Sequence, residues 1–235
     1  MPLVLDIETA PTAAALDRPY PTRKPPANYK SEETIAKWRA EDEGRWQDER
    51  IKEYSLNPLY GRIVCFGYHH TETGEDGVLL AERESDEEEL LVNAWELIAQ
   101  HDGRVVTWNG SWDLQFIRNR SIIHGVQPTI GAFVLKNWFR KYGTHPHCDC
   151  KAYLLNGDQR ANEGLGVWAK ALGVPGKMDG MSGADVWGLV AGQMFEEVAE
   201  YCLADVRATA AIYARIRPYC DDYHLMNQLE RSSHG

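Results

Sequence analysis

The segment Leu3-Val4-Leu5-Asp6-Ile7-Glu8 combines a short apolar run with two carboxylates that alternate along the chain. The apolar run predicts a buried strand that ends at Asp6. Because side chains alternate across a strand, Asp6 and Glu8 are expected to point to the same face of the sheet. Two like charges held this close repel each other unless a cation lies between them. The segment therefore predicts a core strand with an acidic site at its end.

Further strands are expected beyond this segment. Apolar runs at residues 63–68 and 77–80 predict two strands, and the short connection between them makes the first three strands antiparallel. A helix that begins near Ser85 precedes a fourth strand at residues 104–108, and a helical crossover places a strand parallel to a neighbour. The element order predicts an α/β protein with a mixed sheet flanked by helices.

Two more acidic residues occupy positions that favour a functional role. Asp113 comes just after a tight turn at Asn109-Gly110, at the start of a helix expected from about residue 112 to 124. Asp205 lies on the apolar-rich side of a helix expected at residues 195–217. Each carboxylate alone is more often a capping or hydrogen-bonded residue, so only the combination of four carries weight.

The last predicted helix adds an aromatic side chain to this set. Tyr201 is four residues before Asp205 and therefore shares its helix face, and Pro218 is expected to stop the helix. A set of oxygen ligands suits hard cations such as Mg²⁺ or Mn²⁺. Two such ions can activate a water and stabilise a leaving oxygen in phosphodiester cleavage.

The overall composition fits a single domain over residues 1–235, because 43% apolar content supports one sizeable core. No apolar run approaches the ~20 residues of a membrane helix, and the N-terminus lacks the basic region of a signal peptide. A cytoplasmic protein without a membrane partner is expected. The net charge of −10 argues against a sequence-independent nucleic-acid coat protein, but bound metal ions would offset it in a nuclease. The five irregularly spaced cysteines are predicted to be reduced thiols.

The region at about residues 11–56 is predicted to be a charged helical insertion. Residues 11–30 are rich in proline and alanine and are expected to form a loop. Residues 31–53 have a capping residue in Ser31 and mixed charges, which favours a solvated helix. A mobile lid over a substrate groove is the alternative interpretation.

Three ordered segments resemble the motifs of the DnaQ-like, or DEDD, 3′–5′ exonucleases. Leu5-Asp6-Ile7-Glu8-Thr9 resembles the first motif, Asn109-Gly110-Ser111-Trp112-Asp113 the second, and Tyr201-Cys202-Leu203-Ala204-Asp205 the third in its tyrosine-bearing form, DEDDy. Residues 58–64, 172–177 and 185–187 are also similar to stand-alone relatives of the proofreading domain of family B DNA polymerases. The resemblance implies an RNase H-like fold, with a mixed five-stranded sheet of three antiparallel strands followed by parallel strands.

The resemblance also implies roles for individual residues. Asp6 would bridge two Mg²⁺ or Mn²⁺ ions, Glu8 and Asp205 would hold one of them, and Asp113 would support the other. Tyr201 would orient or help to deprotonate the attacking water. The backbone of Thr9, the side chain of Asn109 and the aromatic ring of Trp112, where the family usually has Phe, would serve substrate binding.

The implied reaction is hydrolysis of the terminal phosphodiester at a nucleic-acid 3′ end, which releases nucleoside 5′-monophosphates. Single-stranded DNA is expected to be a better substrate than RNA, and a role in DNA repair or beside a separate polymerase would follow. A catalytically inert nucleic-acid-binding or interaction module on the same fold is the main alternative.

Two further segments of the sequence have other possible roles. The segment His145-Pro146-His147-Cys148-Asp149-Cys150 contains zinc-ligand types, but they are crowded and lack a second pair at zinc-finger spacing. The resemblance instead puts Asp149 on or near a fifth strand. Aromatic and basic residues alternate at 136–142, where either base stacking or core packing would explain them.

Overall fold

The architecture is a mixed five-stranded sheet covered by helices. A computed structural model describes residues 1–21, 23–140, 143–156, 163–176 and 180–220 of the chain. The strands are β1 (Leu3–Pro11), β2 (Gly61–His70), β3 (Asp76–Leu80), β4 (Val105–Thr107) and β5 (His147–Asp149), in the spatial order β3-β2-β1-β4-β5. β1, β2 and β3 pair antiparallel, whereas β4 runs parallel to β1 and β5 parallel to β4. The predicted fold class is confirmed.

The helices occupy both faces of this sheet. They are α1 (Ala13–Leu16), α2 (Glu32–Ser55), α3 (Glu87–Ala99), α4 (Gly110–His124), α5 (Ala132–Trp138), α6 (Cys150–Leu154), α7 (Leu165–Leu172), α8 (Val186–Ala191) and α9 (Phe195–Cys220). In the part of the chain that the structure describes, no helix is long and apolar enough to cross a bilayer.

Strand β1 is buried on both faces, which explains its nearly continuous apolar sequence. Leu3, Leu5 and Ile7 pack into a cluster with α3 and α4. Val4 and Ala10 face the opposite side, where they pack into clusters that include α9. Asp6 and Glu8 alternate with the first set, so they lie on the α9 face of the sheet.

Three predicted boundaries were wrong. β1 continues past Asp6 to Pro11, because it keeps pairing with β2 as far as Gly61. Residues 11–30 contain α1, for which the Thr12 side chain accepts a hydrogen bond from the Ala15 amide. The last helix continues to Cys220, since a proline at position 218 falls in its final turn and removes only one backbone hydrogen bond.

The long helix predicted within the insertion is present as α2, and its end is attached to the rest of the domain. Most of α2 is exposed, but the helix also lies against β1 and β2. Thr9 Oγ1 donates to the Ser55 carbonyl at 2.7 Å, and Trp112 Nε1 donates to the Leu56 carbonyl at 3.3 Å. The five cysteines are free thiols, which confirms that prediction.

Candidate active site

The first pair of predicted carboxylates is adjacent on β1. Glu8 is 8% exposed and Asp6 is half-buried. One carboxylate oxygen of each lies within 4.8 Å of the other and of the Cys202 thiol on α9. A hydrogen bond with Cys65 and burial raise the pKa of the Cys202 thiol, and the nearby charges of Asp6 and Glu8 raise it further. The thiol is therefore protonated in the metal-free protein at neutral pH.

The other two predicted carboxylates are buried and form a second group together with the partly exposed Asp149. Asp113 lies in the first turn of α4 and Asp205 in the middle of α9, and they are 4% and 6% exposed. Burial raises the pKa of Asp113 to about 8, and the negative charges of Asp149 and Asp205 raise it as well. Asp113 is thus close enough to be repelled by Asp149 and by Asp205, which lie on two other parts of the chain.

Helix α9 connects the two groups. Cys202, whose sulfur lies within 4.8 Å of the Asp6 and Glu8 carboxylates, is three residues before Asp205, so the two side chains share a face of the helix on neighbouring turns. Tyr201 is on the same helix, four residues before Asp205, and only 1% of its surface is exposed. The structure therefore brings the predicted carboxylates together as two groups, Asp6 with Glu8 and Asp113 with Asp205, and α9 contributes a side chain to each group.

Close packing around the start of α4 requires a glycine at position 110. Thr107 Oγ1 and His147 Nε2 are 2.8 Å apart directly under Gly110, where a Cβ atom would overlap both. His147 Nδ1 also lies 2.8 Å from the Trp138 carbonyl oxygen. Both ring nitrogens of His147 are thus engaged, which leaves it poorly suited to the zinc site considered for residues 145–150.

The residues predicted to contact substrate lie on β1 and at the start of α4. Asn109 is exposed at the N-terminus of α4, and Trp112 is half-buried with its ring 5.3 Å from that of Phe116. The hydrogen bonds from Thr9 and Trp112 to the end of α2 bring the insertion beside this surface. The side chains of Thr9 and Trp112 are therefore positioned by the insertion.

Two residues beside the site were not predicted as part of it. Asp149 ends β5, as the resemblance implied, and its carboxylate accepts a hydrogen bond from the Ala152 amide at 2.9 Å as the cap of α6. Its position at the carboxyl end of a strand parallel to β4 was the available signal. Cys202 could have been found from its spacing of three residues from Asp205.

The raised pKa of Asp113 leads to a testable pH dependence of stability. A carboxyl whose pKa is higher in the folded protein than in the unfolded chain holds its proton more often in the folded protein, at any pH between these two pKa values. The free energy of unfolding of the metal-free protein should therefore fall as pH rises from about 4 to about 8. Asp113→Asn should flatten this slope, measured by urea unfolding in a chelator at several pH values. Equal slopes for both proteins would contradict the prediction.

The sheet order and the position of these carboxylates define an RNase H-like α/β protein with an acidic site beside its parallel strands. A model of the family described as predicted 3′–5′ exonucleases related to the exonuclease domain of PolB matches residues 61–230. Because this match covers well over half of the chain, the chain belongs to that family. Asp113, Tyr201 and Asp205 lie inside the matched segment, whereas Asp6 and Glu8 precede it and are joined to it by the pairing of β1 with β2.

A solved structure shares the fold over most of the chain. It is the family B DNA polymerase from the hyperthermophilic archaeon Pyrobaculum calidifontis, with a TM-score of 0.60 and 14% sequence identity. The similar region covers 92% of this chain but only 24% of the polymerase chain, so the likeness concerns the fold alone. No functionally curated protein matches this sequence.

Proposed function

We propose that this protein is a two-metal-ion 3′–5′ exonuclease that hydrolyses the terminal phosphodiester of DNA or RNA and releases nucleoside 5′-monophosphates. The observation that supports the proposal is the pairing of Asp6 with Glu8 on β1 and of Asp113 with Asp205 across α4 and α9, in a member of a predicted exonuclease family. Single-stranded DNA is the proposed preferred substrate.

The acidic residues fit a site for divalent cations. In the metal-free protein a buried Asp113 close to Asp149 and Asp205 is unfavourable, as its raised pKa indicates. Asp6, Glu8, Asp113 and Asp205 would hold two Mg²⁺ or Mn²⁺ ions, with oxygen atoms of the kind that these hard cations prefer. When bound, the ions would lower the pKa of a water and neutralise negative charge on the reacting phosphate.

The remaining residues of the site would position the reactants. The buried Tyr201 phenol lies one turn from Asp205 and would orient the attacking water and assist removal of its proton. The exposed Asn109 side chain would contact the terminal nucleotide, and the Trp112 ring would support its base. The Thr9 backbone, held in place by the bond of its side chain to Ser55, would form the facing wall.

A direct test uses strands labelled at either end. Single- and double-stranded DNA and RNA would be incubated with Mg²⁺ or Mn²⁺, and the products separated by size. A 3′ label should appear immediately as a mononucleotide, while a 5′ label should give a ladder that shortens with time. Intact strands together with retained binding would instead support the inert module, and cleavage within a circular strand would contradict an exonuclease.

Removing the phenol oxygen of Tyr201 should slow the reaction without disturbing the fold. Tyr201→Phe keeps the buried ring but removes the hydroxyl, so we expect a rate about 10²-fold lower, the usual range for acid–base assistance. Single-turnover kinetics at saturating metal would measure the effect. Tyr213→Phe, which changes a buried tyrosine three turns further along α9, is the matched control. An unchanged rate in Tyr201→Phe would restrict the residue to packing.

A further inference from the structure

A cysteine lies among the carboxylates of the proposed metal site. The Cys202 side chain is fully buried, and its sulfur lies within 4.8 Å of an oxygen of Asp6 and an oxygen of Glu8. An ion at equal distance from three atoms that are 4.8 Å apart would lie about 2.8 Å from each of them. A zinc–sulfur bond is ~2.3 Å long. Small side-chain rotations would therefore bring all three atoms to bonding distance of one ion.

The position of this sulfur is set by close packing of α9 against the sheet. Gly67 pairs with Asp6 across β1 and β2, and a Cβ atom on Gly67 would lie 2.7 Å from the Cys202 sulfur. The thiol also donates a hydrogen bond to the Asp6 carbonyl oxygen at 3.7 Å. The absence of a side chain at Gly67 thus allows the thiol to lie directly beside the two carboxylates.

A sulfur ligand changes which ions such a site prefers. Mg²⁺ binds oxygen and gains nothing from a thiol, whereas Zn²⁺ and other thiophilic ions bind thiolate strongly and accept carboxylate and water as further ligands. Coordination would replace the proton on sulfur by a metal–sulfur bond, and the proton would pass to solvent without any oxidation or reduction.

We infer that Cys202 is a third protein ligand, with Asp6 and Glu8, for thiophilic divalent cations such as Zn²⁺ and Cd²⁺. The inference rests on the proposed function in so far as that function assigns Asp6 and Glu8 to a metal site. Such ions would compete with Mg²⁺ or Mn²⁺ for this position and would inhibit the reaction that the hard cations support.

Cadmium titration provides a readout independent of activity, because cadmium–thiolate bonds give an ultraviolet charge-transfer band. One equivalent of Cd²⁺ should produce this band in the unmodified protein. The band should be lost in Cys202→Ser and in Cys202→Ala. It should also be lost in Asp6→Asn, which changes a half-buried co-ligand and leaves the packed thiol in place. It should remain in Cys150→Ser, the matched control, since Cys150 is equally buried but lies at the start of α6, in a different core cluster from Cys202.

Affinities measured by calorimetry complete the test. Cys202→Ser should weaken Cd²⁺ binding by at least about tenfold and leave Mg²⁺ affinity unchanged. Even the loss of a residue that only hydrogen-bonds to a metal ligand weakens metal binding by about this factor. A band that persists in both Cys202 variants, or Cd²⁺ binding without a band, would overturn the role of the thiol while leaving the carboxylate site intact. Failure of Cd²⁺, Mn²⁺ and Mg²⁺ alike to bind would overturn the proposed function as well.

Discussion

Replacing Asp6 with alanine should abolish nucleotide release while the protein stays folded. Asp6 is half-buried and shares its strand face with Glu8, so removing its charge relieves repulsion in the metal-free protein rather than breaking the core. Bound metal ions contribute several kcal/mol to such a reaction, and loss of the ligand proposed to bridge both ions should lower the rate by at least about 10³-fold. Single-turnover cleavage with saturating Mn²⁺ would measure this loss.

Matched variants separate a loss of metal binding from a loss of structure. Glu89→Ala removes an exposed carboxylate from α3 and should leave the rate unchanged. Asp205→Ala should reproduce the defect of Asp6→Ala, since both carboxylates are proposed to hold metal. The free energy of unfolding in a chelator should not fall in Asp6→Ala. Normal turnover of either site variant would refute the assignment of the active site.

Removing the Arg120 charge should destabilise the protein by about 3–5 kcal/mol, the loss typical of breaking a buried ion pair. Glu87 and Arg120 are 1% and 6% exposed, and their two parallel contacts measure 2.9 and 2.6 Å. Glu87 also accepts from the Ile63 amide at 2.8 Å, and Arg120 donates to the Pro58 carbonyl at 3.0 Å. In Arg120→Met the Glu87 carboxylate would stay buried without its main partner. Urea unfolding at neutral pH would measure the change.

A double-mutant cycle would show that the stability loss in Arg120→Met arises from the buried Glu87 charge that has lost its arginine partner. Glu87→Gln removes the charge but keeps an oxygen for the Ile63 amide, so adding it to Arg120→Met should recover part of the lost stability. The exposed Arg207–Asp76 pair is the control, because it has the same two-bond geometry at 2.6 and 3.0 Å. Solvent screening limits Arg207→Met to about 1 kcal/mol or less. Similar losses for both pairs would contradict the argument.

The buried Glu87–Arg120 pair also helps to fix the helix that carries Asp113 of the candidate site. Arg120 and Asp113 lie on the same helix two turns apart. Arg120 connects that helix to α3 and to the segment after α2, and its partner Glu87 extends the connection to β2. Breaking the pair should therefore loosen the element that carries one of the proposed metal ligands. We expect Arg120→Met to weaken metal binding more than the control variant does.

Much of the fold could be predicted from local pattern. The apolar runs of β1, β2 and β3 and the hairpin between the last two identified the antiparallel half of the sheet. The helical crossover before β4 correctly indicated a parallel strand. Boundaries were less accurate, because β1 continues through Glu8 and Thr9, which are buried despite their polarity. The end of α9 was missed because one lost hydrogen bond in a final turn does not stop a helix.

The sequence alone determined the mixed α/β class of the fold and predicted the four candidate carboxylates, because alternation and helical spacing are local properties that a short segment carries by itself. Only the tertiary structure decided that Asp149 acts on the pKa of Asp113, that the Cys202 thiol lies beside Asp6 and Glu8, and that the end of α2 holds Thr9 and Trp112. Burial and Coulomb interactions depend on distance in space. Residues far apart along the chain therefore acquire these properties only when packing brings them together.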